Sequence, residues 1–245
     1  MSQTQIPDQM TAVVLDSYSG PAALRVEQQP VPEPGKDEVL VKVAASPINP
    51  SDLAFLGGNY GFDNPPPVVP GGEGSGTVVA VGPGAMGRYF LGKRVACLSN
   101  GQRDGTWAEY MVAAAKGGVF PLNKSVSLEQ GAMSLSNPLT ACAFLEITKD
   151  GRHKAIVLTA AASALGQMVN RLARSEGIGV VNVVRRDAQV ELLKAQGATT
   201  VLNSSDVDFD RQLHDACHKF DARLAFDAVA GSMTEQLLKA LPENS

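Results

Sequence analysis

Residues 154–166 read Lys-Ala-Ile-Val-Leu-Thr-Ala-Ala-Ala-Ser-Ala-Leu-Gly, and the fold turns on this stretch. The run KAIVLTA (154–160) lacks polar alternation, which predicts a strand buried on both faces. Leu165, Met168, Val169 and Leu172 then share one face of a helix over 165–175. Between strand and helix lies a loop of small residues. In the pattern G-x-G-x-x-G the first glycine makes a tight turn, the second lets backbone approach a pyrophosphate, and the third lets the helix pack on the strand. Here those positions are Ala161, Ser163 and Gly166, so only the last is glycine. The strand–loop–helix setting nevertheless supports a dinucleotide site over Ala161, Ala162, Ser163, Ala164, Leu165 and Gly166, with phosphate at the helix amino terminus. A small-residue turn that binds no nucleotide is the competing reading.

Downstream, strands are expected at 178–184, 199–202 and 223–229, with helices at 187–196, 206–218 and 232–241. Strands separated by helices imply a parallel sheet with right-handed crossovers. An acidic residue at the end of the second strand would hydrogen-bond a ribose 2′-hydroxyl, whereas arginine accommodates a 2′-phosphate. This chain has Arg185 and Arg186 there, about 20 residues past Gly166. NADPH is therefore favoured over NADH, with Arg185 as the first choice for the phosphate contact and Asp187 as the start of the next helix. A solvated arginine pair is the alternative.

Upstream, the chain is rich in short strands and turns. Residues 11–16, 38–43, 76–81 and 93–98 look like strands, and 107–113 alternates like a half-buried one. This suggests a closed or nearly closed β structure. Ser127 with Gln130 has the form of a capping box, and a second helix is expected over 139–148. The division is thus a β-rich domain over 1–126 and a dinucleotide-binding domain over 127–245.

Composition agrees with a globular protein: 44% hydrophobic and 19% charged, with 24 glycines and 15 prolines for turns. A net charge of −4 gives no footprint for nucleic acid, and no apolar run approaches the roughly 18 residues that span a bilayer. The amino terminus MSQTQIPDQM has neither the basic and apolar regions of a signal peptide nor the arginine of a transit peptide. Cys97, Cys142 and Cys217 suit free thiols in a reducing compartment, so a cytoplasmic protein is expected.

Asn49-Pro50-Ser51-Asp52, Gly57-Gly58-Asn59-Tyr60-Gly61, Pro70-Gly71-Gly72-Glu73-Gly74 and Val78-Val79-Ala80-Val81-Gly82 occur in that order. Together they resemble the amino-terminal domain of the medium-chain dehydrogenases/reductases. With Ser136-Asn137-Pro138 and Asn182-Val183-Val184-Arg185 added, the chain is similar to the zinc-free 2-enoyl thioester reductases and, less closely, to quinone oxidoreductases. The resemblance spans about residues 10–242. It implies an α/β protein in which a GroES-like β-rich domain precedes a Rossmann doubly wound parallel sheet. It also implies that Tyr60 donates a proton to the substrate, Asn49 lies in the substrate site, and Asn137 lies near the nicotinamide. Ala162 to Leu165 match the phosphate loop, and Arg185 and Arg186 match the region that reads the 2′-phosphate. The activity implied is NADPH-dependent reduction of a C=C bond conjugated to a thioester or carbonyl, or of a quinone. A truncated, non-catalytic nucleotide-binding or interaction relative is the alternative class.

Metal is not expected. Zinc-dependent relatives carry Cys and His where this chain has Asn49 and Gly72, and the cysteine-rich lobe is missing. His214 and His218 are spaced for one helix face, but no third ligand is evident for a site that needs three or four. A doubly wound sheet of this type has six strands, and only four are legible before Ser245. The chain thus reads as truncated after the fourth strand and its helix, either a fragment of a longer product or a natural truncation. By resemblance, homodimerisation would depend on the missing part.

Overall fold

The computed structural model describes residues 5–61, 64–99, 101 and 104–243. The chain divides into two units, Met1–Ser136 and Asn137–Ser245.

In the first unit, β1 (Gln9–Leu15) and β2 (Leu24–Pro30) form an antiparallel pair. β3 (Glu38–Ala45), helix α1 (Pro50–Leu56), β4 (Glu73–Val81), α2 (Met86–Phe90), β5 (Arg94–Leu98), β6 (Tyr110–Ala114) and β7 (Val119–Pro121) follow. Five of these strands pair antiparallel in the order β6-β3-β4-β5-β7. Bridges from Ala12 to Ala108 and from Leu15 to Val68 tie β1 to the surrounding chain. Successive side chains of a strand point to opposite faces, and here both faces are covered. Val39 and Val41 join Val78, Val95 and Met111 in one core, while Leu40 joins Met10, Val14, Tyr110 and Val112 in another. This explains a departure from the expected half-buried strand at 107–113. β6 is buried from Tyr110 through Ala113 because both cores claim its residues. Helix α3 (Leu128–Ala132) follows β7. Its capping box is formed in both directions, Gln130 N–H to Ser127 Oγ at 3.1 Å and Ser127 N–H to Gln130 Oε1 at 2.9 Å. Ser75 Oγ donates to the Leu128 carbonyl, fixing α3 against β4.

The second unit follows the expected alternation. Helix α4 (Ser136–Asp150) leads to β8 (Ala155–Leu158), α5 (Ala164–Ser175), β9 (Gly179–Val184), α6 (Asp187–Ala195), β10 (Thr200–Asn203), α7 (Phe209–Phe220), β11 (Leu224–Phe226) and α8 (Ser232–Ala240). The four strands are parallel in the order β10-β9-β8-β11. Ile156 and Leu158 face a core with Leu145, Val169 and Ala173, whereas Ala155 and Val157 face one with Leu213, Cys217 and Leu237. The expected strand at 154–160 is thus buried over 155–159 and packed on both sides, with Lys154 exposed at its start. In such a sheet the ligand crevice opens at the carboxyl ends of the strands, where the strand order reverses, here between β8 and β11. β11 stops at Phe226, short of the expected 229, because Asp227 leaves the strand to bond its own loop. Among the described residues, no helix is long and apolar enough to cross a membrane.

All three cysteines are free thiols. Burial, with a smaller contribution from the Glu73 charge, pushes Cys97 up to about 12, and burial pushes Cys217 up to about 11. Cys142 is exposed. The thiolate is the reactive form. A thiol-reactive chromogen at pH 8 should therefore count one fast thiol in the native protein and all three in denaturant, and Cys142→Ser should abolish the fast one. Rapid modification of two or more native thiols would contradict this packing.

Candidate functional site

One concave region in each unit is lined by residues of the expected site. In the first unit, a cavity of about 240 Å³ is lined by Asn49, Asp52, Phe55, Tyr60, Gly72 and Ser136, among others. Asn49 caps α1, with Pro50 in its first turn, where a missing N–H costs nothing. Its backbone N–H donates to Asp52 Oδ2 at 2.7 Å, and its side-chain amide donates to Glu73 Oε1 at 2.9 Å. Asp52 Oδ1 accepts from Gly72 N–H at 3.1 Å, so one carboxylate braces the two positions where zinc-dependent relatives carry ligands. Burial raises the Asp52 pKa, and the hydrogen bonds from Asn49 and Gly72 oppose that shift.

Glu73 is the deepest charge in this region, 2% exposed. Its second carboxylate oxygen accepts from Ser136 N–H at 2.9 Å, and its carbonyl accepts from Ser46 Oγ and Thr106 Oγ1, each at 2.9 Å. Both carboxylate oxygens are thus engaged, as a buried charge requires. Gly71 has φ +105, and a Cβ there would come within 2.4 Å of Thr106 Oγ1, so only glycine lets the loop close on Thr106. Tyr60 lies past the end of α1, in the loop that follows Gly57 and Gly58. It is 44% exposed and forms part of the cavity wall. Among the described residues, no group of three His, Cys, Asp or Glu side chains is arranged to hold a metal ion. His214 and His218 stack on α7 with ring centroids 4.1 Å apart, with Asp215 beside His214 at 3.6 Å.

In the second unit, a cleft of about 760 Å³ lies at the carboxyl ends of the parallel strands, lined by Ala160, Val184, Arg185, Arg186, Ser205 and Val229 among others. The loop entering α5 makes its turn with Ala160 at φ +47, a left-handed conformation unusual for a residue with a Cβ. Ser163 caps α5, its Oγ accepting from Gly166 N–H at 3.1 Å. A Cβ on Gly166 would sit 2.3 Å from the Ala161 carbonyl, so this glycine performs the helix–strand packing expected of it. Ala161 is fully buried and its N–H donates to the Val183 carbonyl at 3.2 Å. It supports the loop from beneath, its side chain out of reach of solvent. The N–H groups of Ala164 and Leu165 lie in the first turn of α5, where no intrahelical acceptor exists and the helix dipole favours an anion.

Arg185 is held at its backbone, its N–H donating to Gln189 Oε1 at 3.2 Å and its carbonyl accepting from Ser205 Oγ at 3.0 Å. Arg185 and Arg186 are both exposed, and neither guanidinium makes an ion pair among the described residues. Asp187 begins α6 and accepts from Asn203 Nδ2 at 2.8 Å. Asn137 is the second residue of α4 and half-buried. These features fit a dinucleotide: first-turn N–H groups of α5 for the pyrophosphate and, at the end of the second strand, two cations without an ion pair among the described residues.

Sequence reasoning did not single out Asp52, Glu73 or Asp227. Asp52 had a legible signal, standing three places after a potential cap at Asn49 and next to Ser51. Asp227 accepts from Thr159 Oγ1, Thr234 Oγ1 and the N–H groups of Val229 and Ala230. Partial burial acts to raise its pKa, but these hydrogen bonds outweigh it and hold the carboxyl below its ordinary value.

Comparison with known proteins gives two family matches: an alcohol dehydrogenase GroES-like domain over residues 35–124 and a zinc-binding dehydrogenase domain over residues 164–244. A solved Mesorhizobium loti protein named for NADPH:quinone reductase superposes with a TM-score of 0.93 at 38% identity, covering 99% of this chain and 74% of its own. A mycobacterial protein solved in complex with NADPH superposes at 0.82 with 28% identity, covering 95% of this chain and 70% of its own. The mitochondrial enoyl-[acyl-carrier-protein] reductase of Arabidopsis thaliana is 32% identical over 238 residues, which is 95% of this chain and 62% of the relative's length.

Proposed function

Since the chain belongs to the medium-chain dehydrogenase/reductase superfamily, we propose that it serves a zinc-independent NADPH reductase acting on a C=C bond conjugated to a thioester or carbonyl. The observation that carries this reading is the cleft at the strand ends, lined by Ala160, Arg185 and Arg186, whose two guanidinium groups make no ion pair among the described residues, together with the first turn of α5, where Ser163 caps only the Gly166 N–H. Arg185 and Arg186 would hold the 2′-phosphate, and the first turn of α5 with Ala162 and Ser163 would hold the pyrophosphate. When bound, NADPH supplies hydride to the electron-poor β carbon of the substrate. The α carbon, or the enolate oxygen before it, must then take a proton. Tyr60, on the wall of the first unit's cavity, carries a phenol hydroxyl that would serve as the donor. Asn49, its amide oriented by Glu73, would orient the substrate.

A quinone as acceptor is the second reading, favoured by the name of the Mesorhizobium loti relative and its 38% identity. Loss of nicotinamide absorbance with NADPH should be followed for a 2-enoyl thioester and for a quinone. Turnover of the thioester alone, or much faster than the quinone, supports the first reading. A protein that does not change nicotinamide fluorescence on titration with NADPH refutes both.

Zinc independence rests on the donor set. Asn49 gives its amide to Glu73, and the Gly72 backbone gives its N–H to Asp52, where a catalytic zinc would need about three ligands. Elemental analysis should find well under one zinc per chain, and a chelator should leave NADPH oxidation unchanged. One tightly held zinc per chain would reopen a metal mechanism.

A further inference from the structure

Asp227 bonds four groups that belong to three pieces of the second unit. Thr159, at the carboxyl end of β8, donates its hydroxyl to Asp227 Oδ1 at 2.8 Å and accepts from Ala228 N–H at 2.8 Å. Thr234, on α8, donates to Asp227 Oδ2 at 2.7 Å. The N–H groups of Val229 and Ala230, in the loop between them, donate at 2.9 and 3.2 Å. The carboxylate therefore joins strand end, loop and helix at the place where the strand order reverses.

The loop needs such a clamp. Ala230 has φ +62 and Gly231 φ +64, two successive left-handed residues, and an alanine holds that conformation only when its surroundings fix it. The loop also has a face to present: Val229 is 55% exposed and lines the dinucleotide cleft together with Met233. Arg185 and Arg186 follow β9, on the far side of β8 in the sheet order.

We propose that Asp227 is a positioning residue whose carboxylate holds the 227–231 loop as one wall of the dinucleotide cleft, so that affinity for either nicotinamide cofactor depends on it. This rests on the reading of the cleft as a dinucleotide site. The wall acts on the part of the ligand common to NADPH and NADH, in contrast to the arginines, which act on the 2′-phosphate alone.

The test is fluorescence titration of both cofactors into parent and variants, at a temperature well below every variant's Tm so that unfolding does not mimic weak binding. Asp227→Asn keeps the shape and loses the charge. It should raise the Kd of NADPH and of NADH by the same factor, about tenfold, as expected when hydrogen bonds to a charged group are weakened. Thr234 is exposed. Thr234→Val, which removes one donor, should shift both cofactors in the same direction, and Thr234→Ser, which keeps the hydroxyl, should not. An Asp227→Asn protein with lower Tm but the parent's Kd would make the clamp purely structural and overturn the proposal. A loss confined to NADPH would overturn it too. If the parent protein binds neither cofactor, the dinucleotide reading itself falls and takes this one with it, an outcome distinct from parent binding with an unaltered variant.

Discussion

Arg185→Ala is expected to weaken NADPH by roughly 1.5–3 kcal/mol, about ten- to hundredfold in Kd, and to leave NADH nearly unchanged. The side chain is exposed and makes no ion pair among the described residues, so its removal strands no buried partner and should leave Tm within the small range of surface substitutions. Its backbone, pinned by Gln189 and Ser205, would hold the strand end in place without it. Arg186→Ala should act in the same direction, since it lines the same cleft. The effect should shrink as salt rises, because an exposed cation–phosphate contact is screened. Equal losses for the two cofactors, or a lowered Tm with both affinities reduced, would assign Arg185 to the architecture of the strand end. The 2′-phosphate would then need another partner, and the preference for NADPH would lose its physical basis.

How much of this was legible beforehand depended on the range of the interaction. Local signals carried well. The lack of polar alternation over residues 154–160, the spacing of Leu165 to Leu172 and the Ser127–Gln130 pair each act within one or two turns of chain, and each corresponds to an element in the structure. β2 is hard to read because its pattern is weak: Val26 is 69% exposed and its neighbours are Arg25 and Glu27. α1 went unread because it is short, although Asn49, Pro50 and Asp52 together spell a helix start. The carboxylates show a different limit. Glu73 is interpretable only through Asn49 and Ser136, which are 24 and 63 residues away, and the tie from Asp227 to the central strand only through Thr159, which is 68 away. A single sequence displays the charge but not the donors that satisfy it. The same applies to Ala161, which fits the phosphate pattern by position yet is buried beneath the loop.

Tyr60→Phe keeps the ring and removes only the hydroxyl, so it separates proton donation from packing. Tyr60 is partly exposed on the cavity wall, and the ring alone should preserve the shape that a substrate meets. If the phenol is the acid, kcat should fall by about 10²–10⁴-fold, the usual worth of a general acid, while KM changes little. The measurement needs a preparation in which the parent protein turns over a 2-enoyl thioester, with cofactor binding checked separately so that a lost hydroxyl is not confused with a lost NADPH. Solvent isotope effects add a second readout: a proton transfer from Tyr60 that limits the rate should give an effect that the phenylalanine variant alters. Should KM rise while kcat is spared, the tyrosine would serve to hold the substrate, and the proton would come from water or from another group of the cavity. A quinone places different demands on the site, because its reduced oxygens can be protonated directly from solvent. A variant that loses thioester reduction but retains quinone reduction would therefore tie Tyr60 to carbon–carbon bond chemistry, and equal retention of both would leave the quinone reading as the better account of this site.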